Sequence, residues 1–219
     1  CPMIRSGLIA AASALALAAC SSTSGSTEAT GATVAPMTET MSSYALAMTT
    51  VEGLEEAGNT QTAIDRLTQL SGDPELSREQ LAETLLRRGE LRASQSGYDV
   101  MGAIEDFEEI VNTLDDTAVY AKAVPALATA RGKADSLMTV LNQPETTRQQ
   151  KFDILMQLGR HEDAIDLMIA SDLTPDNETL IAMYQIGYLC EGDELTGRSY
   201  DAVEPDGTNH ALRFCDFGK

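Results

Sequence analysis

The sequence predicts an all-α fold of antiparallel helix pairs, followed by a small, partly β segment at the C-terminal end. Three observations lead there. Between residues 41 and 190 apolar side chains recur at i, i+3 and i+4, the period of a helix with one buried face. Glycines at 58, 97, 132 and 159 stand between such runs and so mark the turns of helical hairpins. The apolar content is 43%, but aromatics supply only 5%, which suits thin, closely packed helical layers better than a β-sandwich.

The first hairpin begins near residue 41. Tyr44, Met48, Val51 and Leu54 share a face, Gly58-Asn59 turns the chain, and Ala63, Ile64, Leu67 and Leu70 form the return helix until Gly72-Asp73-Pro74 breaks it. Ser77 and Gln80 are spaced as a capping box for a helix that buries Ala82, Leu85, Leu86 and Ala93, with Gly89 allowing close backbone approach. After Gly97 comes the strongest amphipathic pattern, Val100, Ala103, Ile104, Phe107, Ile110, Val111 and Leu114. Its outer face, Glu105, Asp106, Glu108 and Glu109, is expected to be solvated. The third pair reads Val119, Tyr120, Ala123, Val124, Leu127 and Ala128, with Pro125 expected to kink or restart the helix, then Gly132 and a partner carrying Ala134, Leu137, Met138 and Leu141. Thr147 and Gln150 form a second capping box ahead of Phe152, Leu155 and Met156, and Gly159 leads to Ala164, Ile165, Met168 and Ile169 on one face. Thr174 is placed to cap and Pro175 to open a last helix, with Leu180, Ile181, Tyr184 and Tyr188 sealing the row. From Glu191 helix propensity falls, and short strands are expected over 199–203 and 211–214 around the Asp206-Gly207 turn.

The hairpins repeat. Gly58 is followed by Ala63, Ile64, Asp65 and later Pro74; Gly159 is followed at the same offsets by Ala164, Ile165, Asp166 and Pro175. Gly97-Tyr98 precedes a third copy, Ala103-Ile104-Glu105, that sits one residue out of step. On these residues the chain resembles the tetratricopeptide repeat (TPR) proteins, whose units are helix pairs of about 34 residues. A small alanine lets the second helix lie close against the first, and the large residue four positions on fills the gap beside it. The chain lacks the family's tryptophan, and its turn glycines are unevenly spaced. The resemblance implies an α-solenoid with a groove, lined by the first helices, that binds extended or helical segments of partner proteins. Arg87, Arg88 and Arg92, with Gln149 and Asp153, lie on the non-core faces of those helices and are the candidate partner-binding residues. Arg88 and Arg92, four apart, are spaced either to share a partner's carboxylate or to neutralise Glu83 and Glu90.

The N-terminus reads as an address. Met3-Ile4-Arg5 gives a positive start, and residues 7–19 run small and apolar, too short for a membrane span of about 20 residues. The run ends in Leu17-Ala18-Ala19-Cys20, which resembles the lipobox of bacterial lipoproteins. That resemblance implies cleavage before Cys20, lipidation of its thiol and acylation of the new amino terminus, several chains giving stable anchoring. With Ser21 after the cysteine it further implies sorting to the outer membrane of a Gram-negative cell, facing the periplasm. Cys1-Pro2 fit no part of this pattern. Residues 20–40, rich in serine, threonine, glycine and alanine, have the composition of a flexible tether. The expected organisation is therefore a signal segment (1–19), a tether (20–40), a helical-repeat domain (41–190) and a C-terminal appendage (191–219).

In an exported, lipidated chain two cysteines remain, Cys190 and Cys215, bracketing the appendage and expected to pair. Such a closure stabilises by about 3–4 kcal/mol in the chain-entropy model. A metal site of Cys190, Cys215 and His210 is the alternative, without the paired spacing of a zinc signature.

Thirty-four acidic against fifteen basic residues give a net charge of −19, which argues against nucleic acid as a partner and permits a basic one. His161 begins His-Glu-Asp-Ala-Ile, without the second histidine of a zinc-protease helix, and is expected to be solvated beside its turn. His210 has no serine in a nucleophile elbow, and no glycine loop is framed to cradle phosphate. No catalytic residue, metal or cofactor is expected. The function expected is that of a lipid-anchored adaptor for proteins of the cell envelope. The alternative is an enzyme or ligand-binding protein whose site lies in the appendage.

Overall fold

Ser42 opens the first helix, α1 (Ser43–Glu56), by accepting a hydrogen bond from the Ala45 amide. Val51 of α1 packs on Ala63 and Leu67 of α2 (Thr60–Ser71), as their shared period demands. The computed structural model describes residues 42–192, 195 and 197–215. The signal segment, Cys20 and the tether lie outside them. The described residues fall in one compact unit, Thr40–Lys219.

Ser77 and Thr147 close full capping boxes with Gln80 and Gln150, starting α3 (Arg78–Ala93) and α6 (Arg148–Leu158). α4 (Val100–Thr113) lies against α3, and Phe107 fills the space that Gly89 leaves: a Cβ there would stand 2.5 Å from the ring. Asp106, on the side of α4 expected to be solvated, is instead 2% exposed. Arg88 and Arg92 of α3 reach across and hold its carboxylate at 2.6 and 3.0 Å, so the charge is buried with its counterions.

The third pair is a single helix, α5 (Tyr120–Leu141), with Pro125 and Gly132 inside it. Pro125 falls in the second turn with its ring exposed, so the helix loses one hydrogen bond without a steric stop. Gly132 makes no turn, because the apolar face running from Ala123 and Leu127 through Ala130 to Ala134 continues unbroken against α3 and α4. α7 (His161–Ala170) buries Ala164 and Met168, while Ile169 is left 64% exposed. The cap of α8 (Asn177–Ile186) is Asp176, which accepts from the Thr179 amide; Thr174 and Pro175 precede it and do not open the helix.

Three strands follow: β1 (Leu189–Glu191), β2 (Tyr200–Val203) and β3 (Asn209–Phe214), antiparallel in the order β1-β3-β2. Leu189 pairs with Phe214, and Val203 with Asn209. The Asp206-Gly207 hairpin matches the expectation, whereas β1 was not legible as a strand. A disulfide joins Cys190 to Cys215 and so ties β1 to the end of β3. With both thiols consumed, the metal-site alternative loses two of its three ligands. Leu189, Tyr200, Ala202 and Leu212 pack into the same core as Phe152, Met156, Met168 and Met183, so the sheet shares its core with α6, α7 and α8.

The α1–α2 and α6–α7 turns share one geometry. Gly58 and Gly159 are left-handed (φ 76° and 80°), and the next residues, Asn59 and Arg160, have nearly identical angles (−86°, 60° and −86°, 58°). In the α3–α4 connection the left-handed residue is Tyr98 (φ 48°), not Gly97. Counted from Tyr98, Ala103 and Ile104 fall at the offsets found after Gly58 and Gly159. That spacing was hidden in the sequence by a tyrosine standing where the other two turns carry glycine, although the connection itself differs, with Ser94 extended at the end of α3 and Asp99 at −155°, 62°. Consecutive helices α1 to α7 pack in sequence, but α8 turns back to meet α2 as well as the strands.

Candidate functional site: the cleft around Tyr98

Gln61, at the start of α2, donates from Nε2 to the carbonyls of Ser96 and Gly97 at 2.9 and 3.1 Å. The Thr60 and Ser96 hydroxyls lie 3.0 Å apart. Gly97 is pressed against the backbone of Leu91 and Arg92 with no room for a side chain. These contacts fix Tyr98 in a conformation that costs a bulky residue about 1–3 kcal/mol. The strain is offset by burial of the ring, which is 7% exposed, by the hydroxyl's bond with Thr179 Oγ1 at 3.3 Å, and by the carbonyl oxygen 2.7 Å from His161 Nε2. His161, expected in solvent, thus links the α6–α7 turn to the α3–α4 turn and also meets Tyr188 edge-on.

Tyr98 and the first turn of α8 separate two lobes of a cleft. One lobe, about 410 Å³, runs from Gln95 and Lys133 past Met156 and Gln157 to Asp153, Asp176 and Thr179. The other, about 220 Å³, is bounded by Asn59, Gln61, Ser96, Asn177, Gln185 and Val203. Lys133 donates to the Ala93 carbonyl at 2.7 Å and to Gln157 Oε1 at 3.3 Å; burial pushes its amine below the usual lysine range. Partial burial pushes the Asp153 carboxyl up, against the Gln149 amide that donates to it at 2.8 Å, and Asp176 pushes it further. Burial also raises the Tyr98 phenol, with Glu178, Asp176 and Asp153 adding to the effect. Asn59, Gln95 and Gln185 make no side-chain hydrogen bond to any described residue.

Comparison of the chain with known protein families, curated proteins and solved structures finds no match. The functional reading therefore rests on the chain's own residues and geometry.

The candidate residues read from the sequence separate into two groups. Asp153 lines the cleft and Gln149 supports it from the same helix. Arg88 and Arg92 are held by Asp106; Arg88 also donates to Ser71 Oγ at 2.8 Å, and Arg92 lies 3.2 Å from Asp99. Arg87 pairs with Glu55 of α1 and stands 3.5 Å from Glu90. In the appendage, His210 is sandwiched between Glu191 at 2.9 Å and Glu204 at 3.5 Å, with its ring against Tyr184. A further groove between α4, α5 and α6, floored by Met101, Ile104 and Met138, has its rim arginines, Arg131 and Arg160, spent on Glu108 and Asp163. Among the described residues no cluster of three or more histidine, cysteine or acidic side chains is arranged to hold a metal ion.

Sequence reasoning missed Tyr98, Lys133, Gln157 and the first turn of α8. Tyr98 carried a faint signal as the residue between a glycine and an N-cap aspartate. The others are single polar residues on separate helices, and nothing in one sequence joins them.

Proposed function

We propose that the chain is a lipid-anchored, periplasm-facing, TPR-like adaptor of a Gram-negative outer membrane, holding a protein partner of the cell envelope in the cleft around Tyr98. One observation carries the reading: the α1–α2 and α3–α4 turns and the start of α8 converge on a cleft in which the side chains of Asn59, Gln95 and Gln185 make no hydrogen bond to a described residue. The left-handed residue at Gly58, Tyr98 and Gly159, with an alanine five residues after each, favours a TPR-like arrangement of the helix pairs. The unpaired α5 and the return of α8 onto α2 depart from a uniform row. The anchor is the lipobox-like residues 17–20; among the described residues no helix is long and apolar enough to cross a membrane.

The test is a photo-crosslinking amino acid in place of Gln185, in cells carrying the full chain. The expected result is a discrete protein adduct in the membrane fraction, with Cys20→Ala releasing the chain from that fraction. A chain that stays membrane-bound without Cys20 sinks the anchor. An adduct pattern no different from that of a probe at Thr49, on the exposed side of α1, sinks the cleft.

A further inference from the structure

We propose that His210 is a pH-operated latch: as an imidazolium it donates to Glu191 and Glu204 together and pins the Asp206-Gly207 hairpin to the sheet, and on losing its proton it lets Glu204 go and loosens that hairpin. This goes beyond the adaptor reading and does not depend on it.

The sheet register places the ring. His210 stands opposite Ala202 and shares a face of β3 with Leu212; all three are buried, and the imidazole lies against Tyr184 of α8. Leu212 pairs with Glu191 of β1, and Glu204 follows the last residue of β2, so a carboxylate reaches each ring nitrogen from a different side. Nδ1 is 2.9 Å from Glu191 Oε1, a hydrogen bond. Nε2 is 3.5 Å from Glu204 Oε1, too far for one, and is buried without a hydrogen bond to any described residue. The side chain as a whole is 10% exposed.

That arrangement is at odds with a neutral ring. A carboxylate only accepts hydrogen bonds, and a neutral imidazole carries a single N–H. With the proton on Nδ1, the Nε2 lone pair faces Glu204; with the proton on Nε2, the Nδ1 lone pair faces Glu191. Either tautomer sets two acceptors against each other in a buried place, whereas the imidazolium gives each carboxylate a donor. Asp206 of the hairpin is the other charged group near the ring. The Thr208 amide and hydroxyl hold its carboxyl below the usual range, and His210 adds to the effect, so Asp206 is ionised on both sides of the histidine range and does not throw the latch.

The hairpin is the side that gives. Cys190, next to Glu191, is bonded to Cys215, which fixes β1 against β3. Asn177 of α8 donates to the Val203 carbonyl and accepts from its amide at 2.8 and 2.7 Å, which fastens the end of β2. Past Val203, residues 205–208 are exposed, and the turn is closed by the Glu204 amide on the Thr208 carbonyl and the Gly207 amide on the Glu204 carbonyl, each at 2.9 Å. Pro205 lines the smaller lobe of the Tyr98 cleft, so a loosened hairpin softens one wall of that lobe.

The experiment is nuclear magnetic resonance on the full chain, reading the protonation of His210 from its ring nitrogens and the exchange of backbone amides at about pH 5.5 and about pH 8. After correction for base catalysis, the Glu204 and Gly207 amides should be protected about tenfold more with the imidazolium than with the neutral ring, and the Val203 amide equally in both. Glu204→Gln offers an amide donor to the neutral Nε2 and should remove the difference by holding the hairpin at both pH values. His210→Gln, which does not titrate, should also remove it; if that variant does not fold, Glu204→Gln carries the test. Equal protection at the two pH values in the native chain overturns the latch. So does a difference that survives Glu204→Gln, or a ring whose protonation does not change between them.

Discussion

Asp106 shows how far one side chain's environment can depart from its position on a helical wheel. It stands on α4 beside Glu105 and between acidic neighbours, yet two arginines from α3 enclose it and Ser71 takes a further guanidinium proton. Burying three charges together is tolerable because each has a partner; removing one strands the others. Asp106→Ala is therefore expected to lower unfolding stability by about 3 kcal/mol, read from urea midpoints at constant slope. A loss below about 1 kcal/mol would show that the arginines find solvent instead. Tyr98 makes the complementary point. Its left-handed backbone is held by Gln61, Gly97, Thr179 and His161 together, which is how a strained residue survives at the centre of a cleft.

The element with the least expected form is α5. A proline and a glycine inside a helical pattern predict a break, but neither outweighs a continuous apolar face with α3, α4 and α6 to pack on. Pro125 leaves the Ala121 carbonyl without its intrahelical donor, at an exposed position where water replaces it. Pro125→Ala should restore that bond and raise stability by about 1–2 kcal/mol, less the freedom regained by the unfolded chain. An unchanged or lower melting temperature would mean that the proline sets the geometry of the first turns. At the other end of the chain, α8 is short but decisive, because its first turn caps itself with Asp176 and lines both lobes of the cleft.

At the scale of the whole molecule, the three strands are not a separate ornament. They share a core with α6, α7 and α8, and the disulfide closes them across 25 residues. Replacing Cys190 and Cys215 by serine should cost about 3–4 kcal/mol. The shared core requires that the loss appear in one cooperative transition seen alike by circular dichroism and tyrosine fluorescence. A separate early melt of tyrosine signal, with the helical transition unmoved, would show that sheet and helices are uncoupled.

The pairs α1–α2, α3–α4 and α6–α7, both capping boxes, the close approach at Gly89 and the Cys190–Cys215 pairing were legible, because each depends on residues near in sequence or on a single pair of thiols. The sequence by itself determined where most of the helices lie and most of the apolar residues they bury, since periodicity and capping are local. Tertiary structure alone decided that α5 runs unbroken, that Asp106 is buried, that Tyr98 takes a glycine's conformation, and that α8 returns to α2. Each of these turns on a partner supplied from a distant part of the chain, and partners at long separation leave no local pattern to read. The cleft belongs with them: its walls come from helices that only folding brings together.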